Sequence, residues 1–304
     1  MVKMYKGIWP VAPTPFHDDG TLDLEGMKRV LDFMIDAGVD GICILANYSE
    51  QFVLSDEERE VLTRLSLEHV ANRVPVIVTV SHFATQIALE RTRLAKSLGA
   101  SMVMLMPPYH GATLRGTPEQ IFEQFKAVGE VGIPIMVQDA PMAGNDLTVP
   151  LLVRIAREIE MVKLFKIECI PPTGKLRELI AVGGEAIQGP FDGEEGITLM
   201  ADLDAGATGT MTSATIPDKI KPILALHAQG NREGASEVYR QVLPVINFEN
   251  RQCLWRASKT AMMEGGVINS DYCRHPIAPL HPETRAGLLD VLRPIDPLVL
   301  SWGK

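Results

Sequence analysis

Residues 162–182, VKLFKIECIPPTGKLRELIAV, contain a short apolar run and then a stretch that fits one face of a helix. We predict a strand over Val162–Glu168, because the run is rich in large apolar residues and is bounded by polar residues and proline. A helix is predicted over Gly174–Val182. Strands that are apolar on both faces are typical of a parallel sheet covered by helices. This stretch therefore predicts one βα unit.

The same unit recurs along the chain. Further predicted strands are Gly7–Val11, Gly41–Leu45, Pro75–Val80, Ser101–Met106, Pro134–Gln138, Ala186–Gly189 and Gly209–Ser213. Helical stretches lie between them, with Asp23, Ser55 and Thr117 as predicted N-terminal caps. Eight βα units in succession predict a (β/α)8 TIM barrel of the α/β class. An open doubly wound sheet is the alternative, but no GxGxxG motif follows the first strand.

The strand pattern ends near residue 216, and the rest of the chain is predicted to be helical. The predicted helices are Lys219–Gln229, Asn231–Asn250, Leu254–Gly265 and Pro282–Val291. We expect the first of them to be the last helix of the barrel. Residues 1–230 would then form the barrel and residues 231–304 a C-terminal helical extension of the same domain, since no linker separates them.

Composition narrows the class of protein. The 304 residues include 29 basic and 38 acidic side chains, and a net charge of −9 argues against nucleic acid or anionic membranes as main partners. No apolar run is long enough to span a membrane, and the N-terminal residues lack the apolar core of a signal peptide. The four cysteines are too sparse for a disulfide framework or a CxxC zinc site. We therefore expect a cytoplasmic protein with reduced thiols.

The predicted strand Val162–Glu168 also carries candidate catalytic groups. Side chains alternate along a strand, so Lys166 and Glu168 share one face, which we expect to point into the barrel mouth. Burial disfavours an ammonium ion, so such a lysine presents a neutral amine that can attack a ketone. The neighbouring carboxylate can move protons at the carbon beside the resulting imine. A buried structural ion pair, or a lysine that reaches solvent, explains the same pattern.

Several motifs resemble one known family. They are Gly7-Ile8, Pro13-Thr14-Pro15-Phe16, Asp40-Gly41, Leu54-Ser55-Asp56-Glu57-Glu58, Pro107-Pro108-Tyr109 and the lysine at position 166. In this order they are similar to the dihydrodipicolinate synthase / N-acetylneuraminate lyase family over nearly the whole chain. The resemblance implies a barrel with C-terminal helices, no metal or organic cofactor, a 2-keto acid substrate and a homotetramer. It also implies that Lys166 forms a Schiff base with the substrate.

The resemblance also suggests residues that bind the substrate. Asn47, Tyr48 and Ser49 occupy the place of a family GTTGE motif that holds the substrate carboxylate. Gly193 corresponds to a family glycine beside that carboxylate, although an ordinary turn glycine would look the same. The remaining candidates for substrate binding occur near predicted strand ends and are His82, Tyr109, His110, Gln138 and Ser213.

Departures from the family pattern bear on the reaction. Gln138 replaces a tyrosine that relays protons, and the arginine expected after Pro141 has no counterpart. Glu168 lies two residues after the lysine, on the same face, whereas the family commonly places the acid directly after it. We therefore expect that this chain lacks the usual synthase activity and that Glu168 performs the proton transfers.

The loss of the tyrosine at position 138 together with Lys166-Ile167-Glu168 resembles the pentonate branch of the family. We expect dehydration of a 2-keto-3-deoxy sugar acid, most specifically of 2-keto-3-deoxy-L-arabonate to 2-oxoglutarate semialdehyde and water. An aldolase that releases pyruvate and an aldehyde, and a decarboxylating sugar-acid dehydratase, are alternatives within the family. Outside it, a non-catalytic keto-acid sensor, a metal-dependent barrel and a phosphate-binding barrel remain open, although no suitable ligand set or glycine-rich cradle is evident at the strand ends.

Overall fold

A computed structural model describes residues 5–110, 114–140 and 147–304. The chain divides into two compact units. The first contains residues 5–7 and 75–211, and the second contains residues 8–74 and 212–304. The predicted boundary at residue 230 between a barrel and an extension stays a prediction.

Regular structure alternates between strands and helices. The strands are β1 Gly7–Ile8, β2 Ile42–Ile44, β3 Val76–Thr79, β4 Met102–Leu105, β5 Tyr109–His110, β6 Leu114–Arg115, β7 Ile135–Asp139, β8 Val162–Ile167, β9 Pro190–Asp192 and β10 Gly209–Thr210. The α-helices are α1 Leu24–Asp36, α2 Asp56–Val70, α3 Thr85–Ser97, α4 Pro118–Glu130, α5 Val149–Glu158, α6 Pro172–Gly183, α7 Leu199–Asp204, α8 Pro217–Ala228, α9 Arg232–Phe248, α10 Arg256–Glu264 and α11 Pro282–Leu292.

In the first unit, six strands form a parallel sheet. Their order is β3-β4-β7-β8-β9-β10, so each strand pairs with its neighbours along the chain apart from the short β5–β6 pair. Strands β3, β4 and β7 are buried throughout, as expected for strands that are apolar on both faces. The antiparallel pair β5–β6 was not predicted from the sequence.

One predicted strand was misplaced. We expected a strand over Ala186–Gly189, but Gly184–Ala186 forms a 3-10 turn and β9 begins at Pro190. Proline lacks a backbone N–H and is tolerated at the first position of a strand. The prediction was wrong because Pro190 and Asp192 are residue types common in turns, so the sequence at this position indicates a turn and not a strand.

In the second unit, the backbone at Val11 bridges two other segments in parallel, at Cys43 and at Ser213. The C-terminal part of the unit is helical, as predicted. The helix expected over Asn231–Asn250 ends as α9 at Phe248 and continues as a π-helix over Glu249–Cys253. No helix within the described ranges is long and apolar enough to cross a bilayer.

The predicted helix starts are confirmed by their caps. The Asp23 carboxylate accepts a hydrogen bond from Gly26 N at 2.8 Å. Ser55 and Thr117 each form a reciprocal capping box with the residue three positions later. These contacts satisfy N–H groups at the start of α1, α2 and α4 that have no partner within the helix.

Candidate active site

The centre of the candidate site is a contact between Lys166 on β8 and Glu168 just beyond its end. Lys166 Nζ lies 2.8 Å from Glu168 Oε1, and the two side chains are only 4% and 12% exposed. Both side chains project from the same face, as the alternation of the strand predicts. An amine and a carboxylate at this distance can exchange a proton directly.

Gln138 on the neighbouring strand completes this group. Strands β7 and β8 pair in a register that places Gln138 opposite Lys166. Gln138 Nε2 donates a hydrogen bond of 2.7 Å to Glu168 Oε1, the same oxygen that faces the lysine. Gln138 Oε1 is buried and accepts no hydrogen bond from the part of the chain that the structure describes. An acceptor in that position is suited to a hydroxyl of a bound substrate.

A second carboxylate near the amine was missed by sequence reasoning. Glu195 Oε1 lies 3.8 Å from Lys166 Nζ, and the Glu195 side chain is 10% exposed. The backbone of Glu195 has a φ of 55°, in the left-handed region that is unfavourable for residues other than glycine. Strained backbone of this kind is concentrated at functional sites. In the sequence, Glu194-Glu195 resembles an ordinary solvated acidic pair, so no signal marked it.

Asp192 on β9 is a further buried carboxyl group of this region. The register of β8 and β9 pairs Asp192 with Ile167, and Thr210 Oγ1 donates a hydrogen bond to Asp192 Oδ2. Burial raises the pKa of Asp192 well above its ordinary value, the charge of Asp202 adds to the rise, and the charge of Lys166 opposes it. Asp192 is therefore neutral over a wider pH range than an exposed aspartate, which limits the negative charge around Lys166.

Gly193 lies against the stems of both candidate catalytic side chains. A Cβ atom at this position would be 2.7 Å from Lys166 Cγ and 2.8 Å from Glu168 Cγ. Carbon atoms do not approach so closely without displacement. The need for glycine here is therefore steric, and it concerns the same two side chains that the sequence analysis singled out.

The predicted carboxylate-binding turn lies in the second unit and has its own internal contacts. Asn47–Ser49 form a short 3-10 helix. The Ser49 hydroxyl accepts from Ala46 N and donates its proton to Ala12 O at 2.6 Å, so this side chain holds the turn in place. Tyr48 donates to Asn250 Oδ1 at 3.2 Å. The expected role of this turn in substrate binding stays a prediction.

The other predicted site residues have varied surroundings. In the second unit, Ser213 Oγ donates to Thr215 Oγ1 at 3.0 Å, and the Thr215 and Ser258 hydroxyls are 2.9 Å apart. In the first unit, His82 Nδ1 accepts from Ala84 N at 2.9 Å, at the start of α3. Burial raises the pKa of Tyr109 to about 12. The side chain of His110 lies outside the described part of the structure.

Within the ranges described, no cluster of three or more histidine, cysteine or acidic side chains has a geometry suited to a metal ion. The four cysteines are buried free thiols. The polar groups that meet at the candidate site are the Lys166 amine, the Glu168 and Glu195 carboxylates and the Gln138 amide.

Comparison with known proteins now identifies the family. The model of the dihydrodipicolinate synthetase family matches residues 4–294. The chain belongs to this family. One similar member is the L-2-keto-3-deoxyarabonate dehydratase of Azospirillum brasilense, 58% identical over 299 residues, which cover 98% of this chain and 97% of that protein.

More distant members of the dihydrodipicolinate synthetase family also match over most of their length. The 4-hydroxy-tetrahydrodipicolinate synthase of Persephonella marina is 27% identical over 297 residues, covering 95% of this chain and 98% of that protein. The crystal structure of dihydrodipicolinate synthase from Thermotoga maritima superimposes with a TM-score of 0.89 at 26% identity, covering 96% of this chain and 98% of the other. These likenesses confirm the predicted family and the predicted (β/α)8 barrel with C-terminal helices.

Proposed function

We propose that this protein is a Schiff-base-forming hydro-lyase that converts 2-keto-3-deoxy-L-arabonate to 2-oxoglutarate semialdehyde and water. The observation that carries the proposal is the contact of Glu168 Oε1 with both Lys166 Nζ and Gln138 Nε2, at 2.8 and 2.7 Å. The 58% identity to an L-2-keto-3-deoxyarabonate dehydratase supports the choice of substrate.

The first step is capture of the ketone. Lys166 passes a proton to Glu168 across the 2.8 Å contact and becomes a neutral amine. The amine attacks C2 of the keto acid, Glu168 returns its proton to the C2 oxygen, and loss of that oxygen as water leaves an iminium ion and the Glu168 carboxylate. The Lys166 side chain is only 4% exposed, so the amine meets the ketone in a site largely shielded from water.

The next steps are two proton transfers by one carboxylate. The iminium acidifies C3, and Glu168 removes a C3 proton to give an enamine. The protonated Glu168 then donates that proton to the C4 hydroxyl, which leaves as water. Loss of a proton from C5 forms an enol, which takes up a proton at C4 and loses its hydroxyl proton to give the aldehyde at C5. Protonation at C3 restores the iminium ion, and its hydrolysis frees Lys166 and leaves the ketone at C2. The net change is the loss of one water molecule from the five-carbon acid.

Gln138 supports this use of Glu168. An amide cannot relay protons as a phenol does, so the strand-β7 side chain is suited to orient the carboxylate through its 2.7 Å hydrogen bond. Its buried Oε1 is an acceptor for a substrate hydroxyl. Glu195, 3.8 Å from the amine, is a second acceptor suited to the hydroxyl-bearing end of the sugar acid. The proposed roles of Asn47, Tyr48 and Ser49 with the substrate carboxylate rest on the resemblance alone.

A product assay tests the proposal. The purified protein is incubated with 2-keto-3-deoxy-L-arabonate, and the semialdehyde, pyruvate, glycolaldehyde and carbon dioxide are quantified. We expect semialdehyde in proportion to the substrate consumed. Pyruvate with glycolaldehyde would support the aldolase alternative, carbon dioxide would support a decarboxylating dehydratase, and a trapped imine without turnover would support a keto-acid sensor.

The family resemblance and the composition support two further proposals, on oligomeric state and on location in the cell. We propose that it is a homotetramer and that it acts in the cytoplasm. Light scattering coupled to size-exclusion chromatography tests the first, with a mass of four chains of 33.3 kDa as the expected result.

A further inference from the structure

The ends of β7 and β8 carry a second set of contacts beside the catalytic group. Asp139 follows Gln138 directly, and Cys169 follows Glu168 directly. Asp139 is fully buried, and its Oδ2 lies 2.6 Å from Lys175 Nζ in the first turn of α6. None of these contacts has a role in the chemistry proposed above.

Asp139 joins several separate segments of the first unit. Cys169 Sγ donates to the Asp139 backbone oxygen and to Oδ1, each at 3.4 Å. The backbone N–H of Leu147 donates to the same carboxylate. Glu168 N donates to the Asp139 backbone oxygen at 3.1 Å. Asp139 thus holds the chain at three places, which are Glu168, Cys169 and Leu147.

The arrangement depends on the charge of Lys175. Burial raises the pKa of Asp139, while the neighbouring Lys175 ammonium opposes the rise. A buried carboxylate without that partner is costly and takes up a proton, which removes an acceptor from the cluster. The Lys175 ammonium therefore favours the carboxylate form of Asp139, which accepts hydrogen bonds from Cys169 and Leu147.

We propose that Asp139 and Lys175 are positioning residues that keep Gln138 Nε2 and Glu168 Oε1 at hydrogen-bond distance. The inference rests on the proposed function, because it assigns a purpose to the geometry of Glu168. Gln138 directly precedes Asp139, and Glu168 directly precedes Cys169, which donates to Asp139. A shift of Asp139 therefore moves the side chains of both Gln138 and Glu168. A misplacement of about 1 Å at reacting groups lowers a rate by about 100-fold.

The test separates capture of the ketone from proton transfer. In Lys175→Met we expect kcat for dehydration to fall by about 10-fold to 100-fold. The imine on Lys166, trapped with borohydride and the keto acid, should form to the same extent as in the unaltered protein. Lys175→Arg, which restores the charge, should recover most of the lost kcat. Arg154→Met is the matched control, because it removes an exposed ion pair with Glu119 of 2.7 Å and should leave kcat within twofold.

The outcomes distinguish this inference from the proposed function. A Lys175→Met protein with unchanged kcat, or with imine formation reduced as much as kcat, would overturn the positioning role. If the unaltered protein neither dehydrates the substrate nor traps an imine, the proposed function fails independently of any variant. If Lys175→Met does not fold, Cys169→Ala tests the same contacts of Asp139, because it removes a hydrogen bond and leaves the Asp139–Lys175 ion pair intact. We expect that variant to lose kcat and keep the imine, with recovery in Cys169→Ser, and an unchanged kcat in Cys169→Ala would again contradict the role.

Discussion

Lys166 Nζ and Glu168 Oε1 lie 2.8 Å apart on one face of a buried strand end. In the proposed mechanism, Lys166 is the nucleophile and Glu168 its proton acceptor, and the two are already in direct contact. The side chains are mostly shielded from water, so the proton can move between them with little change in solvation. This geometry allows one carboxylate to serve first the amine, then C3 and then the C4 hydroxyl.

Glu168→Gln tests whether Glu168 transfers the protons while Lys166 forms the imine. The amide cannot accept or donate a proton at C3 and C4, so we expect kcat to fall by about 100-fold to 10,000-fold. The imine on Lys166 should still be trapped by borohydride after long incubation. Glu178→Gln, an exposed position on α6, should behave as the unaltered protein. A Glu168→Gln enzyme that keeps normal kcat would show that another group performs the transfers.

Gly193→Ala tests the close packing at the site. The added methyl group would lie 2.7 Å from Lys166 Cγ and must displace that side chain or Glu168. We expect kcat/KM to fall by about tenfold to 100-fold, because a misplacement of about 1 Å at reacting groups lowers a rate by about 100-fold. Gly174→Ala provides the contrast, since nothing lies within 4 Å of its Cβ position in α6. That change should leave activity unaltered and raise stability by up to about 1 kcal/mol.

Glu249→Gln tests a buried carboxyl group of the second unit. Burial raises the pKa of Glu249 to about 7, although the neighbouring Ser213 and Thr215 hydroxyls oppose the rise. The folded chain therefore holds this proton more tightly than the unfolded chain, and the stabilisation is lost as the pH rises from about 4.5 through 7. We expect the free energy of unfolding, measured with urea, to fall less between pH 5 and 8 in Glu249→Gln than in the unaltered protein. The difference should be a few kcal/mol at most, and parallel curves would contradict it.

Lys259→Met tests a second buried lysine that has no proposed part in the chemistry. Lys259 is fully buried in the second unit, where its amine pairs with Glu50, bonds to Tyr272 O and lies 4.4 Å from the ring centre of Phe16. Its loss would leave the buried Glu50 carboxylate without this cation, and we expect a loss of about 3–5 kcal/mol in urea unfolding. Lys28→Met, which removes an exposed pair with Glu25, should cost less than about 1 kcal/mol. Equal effects of the two substitutions would count against this account.

The sequence allows prediction of features that depend on local periodicity. The alternation of β8 placed Lys166 and Glu168 on one face, and the caps at Asp23, Ser55 and Thr117 marked helix starts within one residue. Both kinds of signal come from neighbours a few positions apart. The substrate class came from departures at Gln138 and Glu168 within a resemblance to a known family, which periodicity alone does not reveal.

Features that depend on distant residues could not be predicted. Asp192 meets Thr210 and Asp202 only because separate segments fold together, so nothing near it in the sequence marks it as a buried carboxyl group. Glu195 gains its place beside Lys166 through a left-handed backbone conformation that glycine normally adopts. The strand β9 was misplaced because Pro190 starts it and resembles a turn residue.

The most direct measurement of the central claim is reduction of the enzyme with borohydride in the presence of 2-keto-3-deoxy-L-arabonate, followed by tryptic peptide mass analysis. We predict one adduct, on a peptide spanning residues 164–175 in which the modified Lys166 is no longer cleaved. An adduct on another lysine, or none at all under conditions where the enzyme turns over its substrate, would contradict the account.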